Sequence, residues 1–302
     1  MTGQASEHHH CGYVAIAGAP NVGKSTLLNV LMGMKLSIIT SKPQTTRRNV
    51  LGILTAEGYQ AILIDTPGLM DPTYRLQSAM RSQAVSAIRG SDVLLLMEDA
   101  VRAVDKGPGQ QTHEAVEAAG GRTPVVLALN KVDKVLKERL LPLVEECHRI
   151  WTPAAVVPIS ALKHDGIESL LAETVRCMPV GPALYPEEMV TEQPERFFVS
   201  ELVRETVFNS YSQEIPYSTA TLVEEFRRGG DKTYIRVNIY VERRSQRPIL
   251  LGKGGAAIKE VGRRARESIE EFLGEPVYLD LWVKVKEDWP NRESQLRDLD
   301  LI

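Results

Sequence analysis

The chain has 302 residues, of which 43% are hydrophobic and 25% are charged, and its formal net charge is −3 at pH 7. This composition is typical of a folded protein of about two domains, and it excludes an overall basic nucleic-acid-binding chain, so any basic surface must be local. Three widely spaced cysteines argue against a disulfide framework or a zinc site and suit a reducing compartment, and no apolar run is long enough for a transmembrane helix.

Short apolar runs alternate with longer helical patterns from residue 13 to about residue 178, which predicts a mostly parallel α/β sheet with helices on both faces. The predicted strands are Tyr13–Ala17, Gln60–Ile64, Val93–Met97, Val125–Leu129 and Val156–Pro158. Asp65, Asn130 and Ser160 follow three of these strands. Because open α/β sheets bind ligands at the carboxyl ends of their strands, we expect a site there.

A different pattern begins after a proline-rich stretch that contains Pro179, Pro182 and Pro186. The predicted elements are a helix at Phe197–Tyr211, a strand at Tyr217–Phe226, an alternating strand at 235–241, a helix around 258–272 and a strand at 277–285. With a short glycine-rich turn before the second long helix, the predicted order is α-β-β-α-α-β. This order predicts a compact and smaller α+β domain.

These patterns divide the chain into five parts. We predict a disordered arm at 1–12, a first domain at 13–180, a linker at 181–196, a second domain at 197–290 and a tail at 291–302. His8, His9 and His10 could bind a metal ion, but adjacent histidines in a terminal arm are more often solvated, so we expect no native site there. A short terminal helix fits Arg292–Leu299.

A phosphate-binding loop connects the first strand to a predicted helix at Lys24–Met32. Its residues match G-x-x-x-x-G-K-S and are Gly18, Ala19, Pro20, Asn21, Val22, Gly23, Lys24 and Ser25, followed by Thr26. Glycines let backbone N–H groups turn toward phosphates, and the helix N-terminus adds positive potential. Lys24 is expected to neutralise the β- and γ-phosphates, and Ser25 to offer its hydroxyl to Mg²⁺. A glycine turn with an exposed lysine is the alternative.

The segment after the strand at 125–129 predicts which nucleotide binds. It consists of Asn130, Lys131, Val132 and Asp133. The Asp133 carboxylate can accept two hydrogen bonds from the N1–H and N2–H₂ groups of guanine, and adenine lacks this pair of donors. Ser160 and Ala161 are predicted to complete the base pocket. The predicted ligands are therefore GTP and GDP.

Two further segments predict the metal-binding and hydrolytic groups. In Asp65, Thr66, Pro67 and Gly68, Asp65 is expected to hold Mg²⁺ through a water, and Gly68 to bring its N–H to the γ-phosphate. Within residues 44–48 we favour Thr46 as the hydroxyl that closes on Mg²⁺, since such segments order on the triphosphate. The predicted catalytic residues are Lys24, Thr46 and Gly68, and the predicted magnesium ligands are Ser25, Thr46 and Asp65.

Leu69 occupies the position where Ras-like enzymes carry the glutamine that orients the attacking water. An apolar side chain cannot perform that role, so we expect slow intrinsic turnover that uses backbone groups, a cation or a partner. The Asn21 side chain is a candidate ligand for K⁺ beside the phosphates. The alternative is that Asn21 only braces the loop.

The second domain contains the local basic surface. Residues 243–266 include eight Lys and Arg residues and one acid, Glu260. Within them, Gly252, Lys253, Gly254 and Gly255 form a G-x-x-G turn at a helix start, which allows an RNA backbone to approach. In the α-β-β-α-α-β order this is typical of a type II KH domain, and the predicted RNA-binding residues are these four with Lys259 and Arg263. An ordinary turn beside a solvated basic face is the alternative.

Taken together, these segments resemble the Era family, GTPases in which a Ras-like G domain precedes a C-terminal type II KH domain, of bacterial or plastid type. The resemblance covers nearly the whole chain, through the loop at 18–25 and the segments at 43–47, 65–68, 130–133, 160–161, 194–198, 216–218, 251–255 and 281–286. Leu251 replaces a more common isoleucine before the G-x-x-G turn, and Met97-Glu98-Asp99 replaces a usual Val-Val-Asp run.

The resemblance implies a role in small (30S) ribosomal subunit assembly, with the KH domain binding the 3′ end of 16S rRNA. It also implies Mg²⁺ as a cofactor, a monomer and a cytoplasmic location, with peripheral association at the inner membrane in some members and the plastid stroma as an alternative. A second hypothesis is a GTPase that assists an RNA-modifying enzyme, with the C-terminal domain as a protein-docking module. A third, a small-molecule kinase, is disfavoured by Asn130–Asp133.

Overall fold

A computed structural model of the chain describes residues 9–302, which form two compact units. The first unit contains the residues up to Ser37 together with Thr46–Asp71 and Met80–Glu192, and the second contains Ile38–Thr45, Pro72–Ala79 and Gln193–Ile302. The chain therefore enters the second unit inside the predicted linker, and two short segments from its N-terminal half belong with the C-terminal residues.

The first unit is built on a six-stranded sheet. Its strands are β1 (His10–Gly18), β2 (Val50–Ala56), β3 (Tyr59–Asp65), β4 (Val93–Asp99), β5 (Val125–Asn130) and β6 (Ala155–Pro158). The strand order is β2-β3-β1-β4-β5-β6, and every pairing is parallel except the antiparallel pair β2–β3. This confirms the predicted mostly parallel α/β sheet.

Helices follow the strands in the same half of the chain. They are α1 (Lys24–Met32), α2 (Arg75–Arg89), α3 (Ala100–Lys106), α4 (Gln110–Ala119), α5 (Leu140–Trp151) and α6 (Ile167–Cys177). The apolar run 93–97 in β4 is completely buried, as expected for a parallel strand covered on both faces of its sheet. The carboxyl ends of β1, β3, β4, β5 and β6 therefore lie along one edge of the sheet.

Strand β2 was not predicted. It forms a hairpin with β3, and Ala56 pairs with Tyr59 across the two-residue turn Glu57-Gly58. Gly58 has a φ of 84°, a conformation that glycine adopts without steric cost and that tight hairpins require. The dipeptide Glu57-Gly58 between two apolar runs was the sequence signal for this hairpin.

The predicted arm at 1–12 is too long, because β1 begins at His10. The Nδ1 atoms of His9 and His10 lie 2.9 Å from the carbonyl oxygens of Gly181 and Met178, so neither ring is simply solvated. His8 and the rest of the predicted arm lie outside the described residues. Within residues 9–302 no group of three or more His, Cys, Asp or Glu side chains is arranged to hold a metal ion.

Residues 181–192 do not form the free linker that their prolines suggest. The buried Gln60 side chain accepts hydrogen bonds from the backbone N–H groups of Leu184 and Tyr185 and donates one to the carbonyl of Tyr185, at 2.8 to 2.9 Å. The Ile53 N–H donates to the carbonyl of Val190 at 2.9 Å. Because these bonds use the edge strand β2 and its neighbour β3, this segment is packed as part of the first unit.

The second unit confirms the predicted order α-β-β-α-α-β. Its elements are α7 (Glu195–Ser210), β7 (Thr219–Arg227), β8 (Thr233–Val241), α8 (Gln246–Leu251), α9 (Ala256–Leu273), β9 (Val277–Val285) and α10 (Glu293–Asp298). Strand β8 pairs antiparallel with β7 and parallel with β9. The inward side chains of β8, namely Ile235, Val237, Ile239 and Val241, pack with Val261, Ala265 and Ile269 of α9.

The predicted tail at 291–302 is folded. Helix α10 lies within it, and the side chains of Leu296, Leu299 and Leu301 are buried. Trp289, just before it, is completely buried, and its indole N–H donates to the carbonyl of Ser218 at 2.9 Å. Trp289 therefore serves the core, whereas Trp282 is half exposed. Among the described residues no helix combines the length and the apolar composition needed to cross a bilayer.

Candidate nucleotide site and KH groove

The loop between β1 and α1 requires its two glycines. Gly18 and Gly23 have φ angles of 144° and 110°, in the region that favours glycine. A Cβ atom on Gly18 would lie 2.3 Å from the carbonyl oxygen of Met97, and one on Gly23 would lie 2.3 Å from Nδ2 of Asn130. The loop is thus held close to the ends of β4 and β5, as the phosphate-site prediction requires.

Lys24, the first residue of α1, lies inside this loop. Its Nζ donates to the carbonyl oxygens of Gly18 and Ala19 at 3.2 and 2.9 Å. Burial lowers the pKa of Lys24 to about 8, and the nearby Asp65 carboxylate limits the decrease. An anionic phosphate group beside Nζ would favour the charged ammonium further. The position suits the predicted neutralisation of phosphate charge.

The predicted magnesium ligands lie together. Ser25 Oγ donates to Oδ2 of Asp65 at 2.7 Å, Thr46 Oγ1 donates to the same oxygen at 3.3 Å, and the two hydroxyls are 2.9 Å apart. The other carboxylate oxygen, Asp65 Oδ1, is buried and has no hydrogen-bond partner among the described residues. Burial raises the pKa of Asp65, while Lys24 and the hydroxyl donors act to lower it. Hard oxygen donors and an unpartnered buried carboxylate oxygen fit Mg²⁺.

The segment after β3 also approaches the loop. A Cβ atom on Gly68 would lie 2.8 Å from the backbone nitrogen and Cα of Pro20, so only glycine fits there. Thr66 Oγ1 donates to the carbonyl of Ile16 at 2.9 Å, and the Leu69 N–H donates to the carbonyl of Gly18 at 3.1 Å. These contacts fix the backbone of Thr66, Pro67 and Gly68 beside the phosphate-binding loop.

The Leu69 side chain points into the core. It is completely buried and belongs to the same apolar cluster as Ala15, Ala17 and Leu94. A side chain held there cannot orient a water molecule in the site. The position where Ras-like enzymes carry glutamine is therefore structural in this chain, which supports the predicted slow or assisted hydrolysis.

Asn130 joins three parts of the predicted base pocket. Its Nδ2 donates to the carbonyl of Val22 at 2.7 Å, and its Oδ1 accepts from the Ala161 N–H at 3.0 Å. Asp133 is exposed, and its Oδ1 accepts from Ser160 Oγ at 2.7 Å. Because Ser160 holds one oxygen of the carboxylate, the Asp133 side chain is oriented before any base arrives.

Asp99 is a site residue that the sequence analysis missed. Its Oδ2 lies 2.6 Å from Nζ of Lys131, which also donates to the carbonyl of Asn21 at 2.9 Å. The other oxygen of Asp99 accepts from the Val101 N–H at the start of α3. Asp99 therefore places the Lys131 side chain across the base end of the loop. Its position as the last residue of β4 was the available signal.

The G-x-x-G turn lies in the second unit at the start of α9. Gly252, Gly254 and Gly255 have φ angles of 70°, 60° and 80°. A Cβ atom on Gly252 would lie 2.6 Å from the Cβ of Ala257, whereas the space around Gly254 and Gly255 is open. Lys253 is exposed. The turn thus presents open backbone and one cation to the surroundings.

A groove of about 590 Å³ runs between α9 and β9. The residues that line it are Lys232, Ile258, Lys259, Gly262, Arg263, Arg266, Val277, Tyr278, Leu279 and Leu281. Its lining combines apolar side chains with four cations, Lys232, Lys259, Arg263 and Arg266. This arrangement suits unpaired bases with their phosphates outside.

The arginines of α9, among them the predicted RNA-binding residue Arg263, form ion pairs with glutamates of the same helix. Arg263 forms ion pairs with Glu260 and Glu267, Arg264 with Glu260, and Arg266 with Glu270, at 2.6 to 3.0 Å. Glu267 and Glu270 lie just beyond residues 243–266, so the count of acids in that segment missed these helical pairs. Since exposed ion pairs are weak, Arg263 can exchange partners, but Lys253 and Lys259 are the better candidates.

Comparison with known proteins covers both units. Residues 13–131 match the family model described as 50S ribosome-binding GTPase, and residues 214–290 match the KH domain model. The GTPase Era of Nitratidesulfovibrio vulgaris (strain DP4) is 43% identical over 299 residues, which is 97% of each chain. The GTPase Era of Carboxydothermus hydrogenoformans is 42% identical over 289 residues, 95% of this chain and 96% of the relative.

Two crystal structures of Era are also similar over most of the chain. One is an Aquifex aeolicus Era variant bound to GDP and AlF4⁻, with a TM-score of 0.91. The other is Era in complex with MgGDPNP and nucleotides 1506–1542 of 16S ribosomal RNA, with a TM-score of 0.92. Each is 38% identical and covers 97% of this chain and 99% of its own.

Proposed function

The chain belongs to the Era family of GTPases and hydrolyses GTP; we propose that hydrolysis times its binding to the 3′ end of 16S rRNA during assembly of the small ribosomal subunit. The observation that carries the proposal is the combination, in one chain, of a guanine-type nucleotide site with an open G-x-x-G turn beside an apolar groove. The 16S rRNA fragment in the Era complex supports the choice of RNA. The family model described as 50S ribosome-binding GTPase covers only residues 13–131. We therefore give more weight to the Era complex, which matches nearly the whole chain.

In the proposed reaction the loop binds the phosphates of GTP through its backbone N–H groups, and the Lys24 ammonium neutralises their charge. Ser25, Thr46 and Asp65 would hold Mg²⁺, which offsets the negative charge of the β- and γ-phosphates when it is bound. Asp133 accepts the guanine N–H groups, and Asn130 keeps the two loops of the base pocket together. The Gly68 N–H is proposed to face the γ-phosphate, and Leu69 contributes nothing to water activation.

The RNA part of the proposal assigns unpaired bases to the groove and phosphates to the turn. The glycines of the turn allow the RNA backbone to approach, and Lys253 and Lys259 supply positive charge. Arg263 can contribute its charge after its ion pairs with Glu260 and Glu267 break. A cytoplasmic monomer, with peripheral membrane association, remains a prediction from the resemblance.

Filter binding with a single-stranded fragment of the 16S rRNA 3′ end tests the function directly. We expect submicromolar binding to the fragment, at least about tenfold tighter than to a scrambled RNA of equal length, and a difference between the GDP and GTP-analogue states. Equal affinity for both RNAs in both nucleotide states would contradict the proposal. It would favour the alternative in which the second unit docks an RNA-modifying enzyme.

Potassium is expected to accelerate GTP hydrolysis if Asn21 holds a cation beside the phosphates. Asn21 is an exposed residue of the loop and has a φ of 61°. A bound cation there would supply charge stabilisation that Leu69 cannot replace. We expect turnover in 0.1 M KCl to exceed turnover in 0.1 M NaCl by about tenfold, and Asn21→Ala to remove the difference. Equal turnover in the two salts rules the cation out.

A further inference from the structure

Ser37 is a buried hydroxyl beside Asp65 that none of the nucleotide motifs contains. Its side chain is 2% exposed, and its Oγ donates to Oδ2 of Asp65 at 2.9 Å. The same oxygen accepts hydrogen bonds from Ser25 and Thr46, which are themselves proposed ligands of Mg²⁺. Ser37 is thus the donor to Asp65 that has no proposed role as a ligand.

Asn29 fixes Ser37 from helix α1. Its Oδ1 accepts from the N–H groups of Leu36 and Ser37 at 2.9 and 2.8 Å, and its Nδ2 donates to the carbonyl of Ser37 at 2.7 Å. Asn29 follows Ser25 by four residues, so the two side chains lie on the same face of the helix. One turn of α1 therefore carries both the Ser25 hydroxyl and the Asn29 side chain that fixes the backbone of Ser37.

We propose that Ser37 and Asn29 are positioning residues for Mg²⁺: Asn29 holds Ser37, and Ser37 holds the Asp65 carboxylate in the orientation that the ion requires. The inference rests on the proposed magnesium site. Residues that hydrogen-bond to metal-associated carboxylates fix their orientation, and losing one commonly weakens metal binding about 10- to 100-fold. Since Ser25 and Thr46 still satisfy Oδ2 in a Ser37→Ala variant, the fold tolerates the change while the carboxylate gains freedom.

The test measures the dissociation rate of a fluorescent GDP analogue over a titration of free Mg²⁺. For Ser37→Ala we expect the midpoint of this titration, the free Mg²⁺ concentration at which the slowing of dissociation is half complete, to rise about tenfold. The GDP affinity in excess EDTA should stay within about twofold of that of the parent protein. Ser37→Thr, which keeps the hydroxyl, should restore the parent midpoint. Ser91→Ala is the matched control, because Ser91 is also buried and its Oγ donates to the carbonyl of Ile88, away from Asp65.

Asn29→Ala is expected to give a similar shift, and the double variant with Ser37→Ala no additional one, because Asn29 acts through Ser37. An unchanged Mg²⁺ midpoint in Ser37→Ala overturns the inference. So does an equal loss of GDP affinity with and without Mg²⁺, which indicates a merely structural role. Ser25→Ala separates the two proposals: if it keeps the parent Mg²⁺ dependence, the magnesium site itself is wrong.

Discussion

An Asp133→Asn variant is expected to lose GTP affinity by about 1,000-fold and to gain affinity for xanthosine triphosphate. The carboxylate is oriented by Ser160 and offers acceptors to the two guanine N–H groups. An amide offers one acceptor and one donor, so the guanine N2–H₂ group meets a donor, and two charge-assisted bonds are lost. Xanthine carries a carbonyl where guanine carries the amine, and it pairs with the amide.

Competition binding against a labelled guanine nucleotide measures both effects. Asp231→Asn, an exposed aspartate in the second unit, removes the same charge elsewhere and should change neither affinity. If Asp133→Asn retains GTP affinity within about threefold, or binds xanthosine triphosphate no better than the parent does, then Asp133 is not the residue that selects guanine.

The double variant Lys253→Glu, Gly254→Asp is expected to lower affinity for the 16S rRNA fragment at least 100-fold, an order-of-magnitude estimate for placing about two carboxylates against phosphates. Aspartate tolerates the left-handed backbone at Gly254, where the φ is 60° and the surrounding space is open, so the turn itself should survive. The dependence of binding on salt should also weaken by about one phosphate contact.

A matched control introduces the same change of charge into the first unit. Lys137→Glu with Gly121→Asp also replaces an exposed lysine and a glycine in open space, with a φ of 74° at Gly121. We expect this control to bind RNA like the parent protein, and both variants to bind GDP normally. If the two variants lose RNA affinity equally, the effect is one of net charge and the G-x-x-G turn is not the binding site.

Sequence motifs predicted the residues that would touch a ligand, because phosphate and guanine chemistry restrict the residue types at short spacings. The elements that hold those residues were harder to predict. Ser37 and Asp99 are ordinary polar residues whose partners lie at or just after the ends of other strands, so only the folded sheet brings them together. Asn29 instead bonds to the backbone of the loop that follows its own helix. Residues 181–192 were assigned to a linker because prolines mark irregular backbone, but Gln60 supplies the hydrogen bonds that a loop needs to pack.

Counting charged residues along the chain overestimated the net positive charge around the arginines of α9 for a similar reason. The basic segment at 243–266 contains one acid, yet α9 brings Glu267 and Glu270 one turn away from Arg263 and Arg266. Side chains that pair on a helix lie three or four residues apart, so a sequence segment that ends inside a helix omits partners just beyond its end. In α9 the segment 243–266 omits half of the ion pairs that its arginines form.

The bridging position of Asn130 has a consequence for folding stability. Its side chain joins Val22 to Ala161, which are far apart in the chain, so the nucleotide site exists only when the whole first unit is folded. A nucleotide that binds the native unit alone stabilises it by about 2.7 kcal/mol when present at 100 times its dissociation constant. Bound guanine nucleotide is therefore expected to raise the unfolding temperature of the first unit, and removal of the nucleotide to lower it.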